Sequence, residues 1–156
     1  MSCMNDWSFV SAAVAALLAL ALPPGAAAQS RIAGAKSLRC SFALNATGTW
    51  KKDGQPAAAA TPATLVLIYE SIDTDEGTAK LRNGSVTSDV IARSSPGYLH
   101  FIQSFRGPLY TTTVFDAETT GGKLKAVHSR HEYFAVPLPG ATSSPEQYYG
   151  ECEVTK

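Results

Sequence analysis

The sequence predicts an all-β fold: a single small antiparallel domain of about eight strands, an up-and-down β-barrel in preference to a β-sandwich. Three observations carry this expectation. Short runs with period-two alternation, rich in Val, Thr, Ile and aromatic residues, recur along the chain, as half-buried strands require. Clusters of Gly, Pro, Asn, Asp and Ser separate them closely, and short turns join antiparallel neighbours, because parallel strands need long crossovers. Finally, Cys40 and Cys152 fall on the apolar faces of the first and last runs. A disulfide there brings those two strands together, and if they also pair the sheet closes and loses its edges.

Composition bounds the rest. The chain has 156 residues, 13 Lys and Arg against 13 Asp and Glu, and 45% hydrophobic residues. Balanced charge excludes a strongly electrostatic grip on nucleic acid as the default. The apolar content is enough to offset chain entropy, so the composition is not that of a disordered chain. The length suits one domain, at roughly 100–200 residues each.

Residues 1–28 read as a cleaved signal peptide. Phe9–Leu22 is almost wholly apolar, Pro23-Pro24-Gly25 breaks it, and Ala26-Ala27-Ala28 supplies a small-residue cleavage site. The run is shorter than the roughly 20 residues of a spanning helix. The n-region departs from the usual pattern, since Met1–Ser8 holds no Lys or Arg and carries Asp6. The expected product is exported, periplasmic or secreted, with no membrane span in the mature chain. Removal of Cys3 leaves the pair Cys40 and Cys152, which in an oxidising compartment reads as a disulfide.

Residues 29–37 are small and polar and are expected to be a flexible lead-in to the β domain of residues 38–156. Leu38, Cys40, Phe42 and Leu44 then alternate with Arg39, Ser41, Ala43 and Asn45, which predicts a strand with Cys40 on its apolar face. Lys51–Pro62, with Asp53-Gly54, two prolines and four alanines, reads as a loop. Ala63–Glu70 is the most apolar mature run and favours a strand by length and β-branched content. Ser71–Gly77 is an acidic turn. Thr78–Arg82 and Ser85–Arg93 flank Asn83-Gly84, the strongest hairpin signal in the chain, because a type I′ turn needs positive φ at both central residues. Val86, Val90 and Ala92 share one face of the returning strand.

After the turn Ser94–Gly97, Tyr98–Phe105 alternates clearly, with Leu99, Phe101 and Phe105 on one face and Tyr98, His100 and Ser104 on the other. Arg106-Gly107-Pro108 turns again, and Leu109–Phe115 is dense in Thr, Val and aromatics. Beyond Gly121-Gly122, Lys123–Val136 holds a long candidate strand. Pro137–Pro145 is a Pro-, Gly- and Ser-rich loop. Gln147–Val154 closes the chain with Tyr148, Cys152 and Val154 on one face.

The densest polar cluster on a predicted strand is His128-Ser129-Arg130-His131-Glu132. Alternation places His128, Arg130 and Glu132 on one face and Ser129 and His131 on the other. A zinc site from His128 and His131 would need a bulge and a third ligand such as His100, because residues three apart do not share a strand face. The cluster reads more readily as an interior or rim group in which Arg130 grips a carboxylate, or as a solvated face with an Arg130–Glu132 pair. His128, Arg130, His131 and Trp50 are the candidate ligand-binding residues; no metal and no cofactor are expected.

Gly48-Thr49-Trp50 resembles the Gly-x-Trp signature of lipocalins, secreted eight-stranded barrels that carry small apolar ligands. The resemblance covers three residues. A turn at Lys51–Gly54 follows where a lipocalin continues into its first strand, and the family's Thr-Asp-Tyr signature is absent. No function is carried over, and Trp50 by itself reads as an apolar plug near one end of the core.

Ile72–Gly77 has the composition of a calcium loop but the wrong spacing, since Asp73 and Asp75 put Gly77 at position five. There is no G-x-S-x-G elbow, no P-loop and no dinucleotide fingerprint. Sequons stand at Asn45-Ala46-Thr47 and Asn83-Gly84-Ser85. The sequence therefore points to a non-catalytic binding protein, taking a small apolar ligand inside the barrel. The alternative is an envelope or secreted protein-interaction module, an assembly factor or inhibitor, acting through Lys51–Pro62 and Pro137–Pro145. A hydrolase using His128 and His131 is the remote third reading.

Overall fold

The computed structural model describes residues 30–104, 107–133 and 144–156. The leader at 1–28, Phe105, Arg106 and most of the Pro137–Pro145 loop lie outside the described residues. Eight strands follow one another: β1 (Leu38–Trp50), β2 (Pro56–Asp73), β3 (Thr78–Asn83), β4 (Val86–Ser95), β5 (Tyr98–Ser104), β6 (Leu109–Glu118), β7 (Leu124–His131) and β8 (Glu146–Val154). Each pairs antiparallel with its sequence neighbour, and β8 returns to β1, so the single sheet closes into a barrel. Cys40 and Cys152 are direct cross-strand partners at this seam, with Cα atoms 4.0 Å apart, and are joined by a disulfide.

The up-and-down order sorts the connections. The β2–β3, β4–β5 and β6–β7 turns lie at one end, here the base; the other connections lie at the opposite end, the mouth. Period-two alternation fills the base and middle with apolar side chains. Leu38, Ile72, Leu99, Val114 and Leu124 are buried, and Tyr69 stacks on Phe101 with ring centroids 3.8 Å apart. Each such side chain contributes about 1.5–3 kcal/mol by leaving water.

Residues 30–37, within the expected lead-in of 29–37, pack on the barrel. Ile32 and Ala35 are buried in the same core. The Arg31 guanidinium donates to Glu118 at 2.5 Å and to the Gly122 carbonyl at 2.8 Å. The Lys36 and Ser37 carbonyls accept from the Ile72 and Thr155 N–H groups. The apolar Ile32 and Ala35 supply what a small, polar composition conceals: two side chains that stopper the base.

Three further expectations are corrected. Lys51–Pro62 is not one loop: only Lys51–Gln55 turns, and Pro56–Pro62 belongs to β2. β3 pairs with β2 only from Ile68 to Asp73, so Pro56 and Pro62 sit where one edge of β2 has no strand partner and a missing N–H costs no ladder bond. Leu44 is not on the apolar face. The register shifts between Phe42 and Leu44 in both β1 pairings, so a bulge at Ala43 reverses the alternation. Leu44 turns outward and Asn45 turns inward.

Val86 keeps the inward face of Val90 and Ala92, yet it is 66% exposed at the mouth end of β4, beside the Asn83-Gly84 turn. Lys123–Val136 holds β7, Leu124–His131, as expected, and its last three residues lie outside the described residues. Trp50 is no plug: it is 57% exposed at the end of the β1–β2 ribbon, edge-to-face with Tyr133. The three lipocalin-like residues therefore stand on an overhanging hairpin and not at the base of the core.

Candidate functional site

The inward faces change character along the barrel axis. On β6 the series runs Val114, Thr112, Tyr110 from base to mouth; on β7 it runs Ala126, His128, Arg130; on β8 it runs Cys152, Gly150, Tyr148, Glu146. An apolar base thus gives way to a polar mouth built from strands that are themselves held by the core beneath.

His128 is the pivot. It is buried, and its Nδ1 lies 2.7 Å from Thr112 Oγ1, which in turn meets the Tyr69 hydroxyl at 2.5 Å. On the other side of the ring, Arg130 Nε donates to His128 Nε2 at 3.3 Å. A guanidinium can only donate, so Nε2 is the acceptor and the ring proton resides on Nδ1, facing Thr112. Burial first, and the Arg130 charge second, pull the His128 pKa down to about 3. The imidazole is therefore neutral at neutral pH. Burial likewise pushes the Tyr69 hydroxyl above its ordinary value, against the opposing hydrogen bond from Thr112, so this chain of groups carries no charge.

Arg130 is clamped by aromatic faces. Its Cζ lies 5.0 Å from the centroid of Tyr148 and 5.7 Å from that of Tyr110, within range of favourable cation–π contact. Tyr148 donates its hydroxyl to Glu146 Oε2 at 2.7 Å, while Asn45 Nδ2 donates to Glu146 Oε1 at 3.4 Å. Burial, then the bond to Glu146, push the Tyr148 hydroxyl up to about 12, so it remains a donor. Asn45 Oδ1 is buried and has no protein hydrogen-bond partner. Among the described residues no carboxylate lies within ion-pair distance of Arg130, so neither the expected grip on a carboxylate nor an Arg130–Glu132 pair forms.

Beside this cluster a cavity of about 270 Å³ opens at the mouth. Leu67, Leu81 and Val86 line its β2–β4 side together with their neighbours Asn83 and Ser88, and Gln103, Tyr110, His128 and Arg130 line its β5–β7 side. Gln103 Nε2 donates to Ser88 Oγ at 2.7 Å and ties β5 to β4 across the rim. Below the cavity the barrel is filled, with only about 10 Å³ of space between Tyr69, Phe101 and their neighbours.

The structure brings two of the four sequence-derived ligand residues, His128 and Arg130, to this cavity. His131 points to the outer face of β7 and is exposed, as alternation requires. Trp50 stands on the ribbon. His100 also faces outward, stacked on Tyr98, so the three histidines do not converge, and among the described residues no three His, Cys, Asp or Glu side chains are placed to share a metal ion. With both ring nitrogens of His128 engaged and His131 on the opposite face, the geometry holds no nucleophile–base pair built from those two residues.

Sequence reasoning missed Asn83, Ser88, Gln103, Tyr110 and Glu146 as site residues. The signal was present: each shares the alternation of buried residues on its own strand, so a polar residue in an inward position marks the polar mouth, where Asn83, Ser88, Gln103 and Tyr110 line the cavity and Glu146 stands beside it.

Comparison of the chain with protein-family models, with curated proteins and with solved structures gives no match.

Proposed function

We propose that this chain is an exported, non-catalytic binding protein that takes a small, largely apolar molecule into the mouth of its barrel. The observation that carries the reading is the cavity of about 270 Å³ above a filled core, lined by Leu67, Leu81 and Val86 and by a few polar groups that include the held pair His128 and Arg130. Ligand sites are commonly apolar concavities with a few fixed polar groups, of roughly 300–1,000 Å³. This volume falls just below that range and suits a small molecule over a long-chain lipid. Export is supported by the leader-like sequence of residues 1–28 and by the Cys40–Cys152 disulfide, which persists in oxidising compartments. Among the described residues no helix is long and apolar enough to cross a membrane.

The test is native mass spectrometry on protein purified from its own exported compartment. A reproducible additional small-molecule mass, released on denaturation, is the expected result. A bare chain at the disulfide-bonded mass across preparations would overturn the reading.

The β1–β2 ribbon favours a second reading, a protein-interaction module. Trp50 and Tyr133 are both exposed and in contact there, and aromatic residues often anchor protein interfaces. Shortening the ribbon should then abolish capture of a partner while leaving the fold intact; retention of the partner would rule this reading out.

A further inference from the structure

We propose that the ligand of the mouth cavity carries a carboxylate, bound by the free guanidinium donors of Arg130, while its apolar body lies on Leu67, Leu81 and Val86. The proposal rests on the reading of the cavity as a ligand site and specifies the chemistry of its occupant.

Four observations lead to it. Among the described residues Arg130 contributes the cavity's formal charge, since the others that line it are apolar or neutral polar groups and His128 is kept neutral by burial. The guanidinium is already oriented: Nε is committed to His128, and two tyrosine rings hold its position. Its Nη donors meet no acceptor among the described residues, whereas a guanidinium presents five N–H groups in a fork that matches a carboxylate. The neighbouring acids do not fill this role. Glu146, the cross-strand partner of Arg130, is held by Tyr148 and Asn45, and neither Glu146 nor the buried Glu132 lines the cavity. A preordered arginine in a cavity that also presents Leu67, Leu81 and Val86 selects an amphiphile with an anionic end, because bonds to an ionised acceptor are roughly twice as strong as neutral ones.

The test compares matched pairs of probes on the full chain at low salt: benzoate with benzamide, and hexanoate with hexanamide, each followed by NMR titration of the mouth amides. Each acid should bind about tenfold more tightly than its amide. Arg130→Gln should abolish that preference. Val86→Glu removes one apolar contact shared by acids and amides and adds a negative charge at an exposed lining position, so it should weaken the acids several-fold more than the amides; this variant decides the matter should Arg130→Gln fail to fold. If acids and amides bind equally and Val86→Glu weakens both to the same extent, the anionic inference is overturned while the cavity reading stands. If none of the four probes perturbs the mouth, both fall together.

Discussion

Arg130 Nε donates to His128 Nε2 at 3.3 Å, from two residues further along the same inward face of β7. Each residue thereby sets the state of the other. The guanidinium excludes a proton from Nε2, and the neutral imidazole gives the cation an acceptor without neutralising it. A permanently charged group is held at the mouth by a neutral one that the core encloses.

This pairing predicts acid sensitivity. The folded His128 pKa of about 3 lies below the unfolded value of about 6.5, so the unfolded state binds more protons between them. Stability from this group is complete above pH 6.5 and is lost as pH falls towards 3. Between pH 7 and pH 5 the loss should be about 2 kcal/mol, read as a fall in the urea midpoint. His128→Gln should flatten that dependence. An equal fall in both proteins would assign the effect elsewhere; Asp73 and Glu151, whose carboxyls are held below their ordinary values, act at lower pH.

The disulfide closes a span of 112 residues. The non-reduced mature chain should weigh two hydrogens less than the reduced form. Replacing both cysteines with Ala should lower unfolding free energy by about 4 kcal/mol, on the loop-entropy argument. A denaturation midpoint unchanged by reduction would show that β1–β8 pairing alone holds the seam.

Gly150 predicts a steric limit. A Cβ there would lie 2.1 Å from the Ser41 carbonyl oxygen and 2.6 Å from Phe42 Cα, both backbone atoms beside the β1 bulge. Gly150→Ala should therefore destabilise by about 3 kcal/mol. Gly34→Ala, with nothing within 4 Å, serves as the neutral control. Comparable effects at both positions would contradict the close approach of β8 to β1.

Trp50 offers the opposite case. As an exposed ribbon residue, Trp50→Ala should change stability by less than about 0.5 kcal/mol. A core plug would instead cost about 3–5 kcal/mol. Thermal or urea unfolding separates these outcomes directly.

Much of the architecture was legible from alternation. Leu99 and Phe101, and Cys40 and Cys152, point inward as their spacing requires, and the Asn83-Gly84 turn falls between β3 and β4. Leu44 escaped because a bulge is one extra residue, and nothing in Phe42-Ala43-Leu44 marks where the period breaks. Pro56–Pro62 escaped because proline reads as a loop signal unless the missing neighbour on that edge of β2 is known. At the site, His128 and Arg130 were legible as a shared strand face. Their partners Thr112, Tyr110 and Tyr148 come from other strands, and strand parity says which face a residue takes but not which residues meet across a barrel.

The sequence by itself determined the strand-rich pattern, the turns and the cysteine pair, because these follow from local periodicity, backbone preference and composition. Tertiary structure decided the register at Ala43, the exposure of Trp50 and the neutral state of His128. Those depend on which atoms approach through space: a bulge shared with two neighbours, a two-stranded ribbon that carries Trp50 away from the core, and a buried imidazole placed between a hydroxyl and a cation.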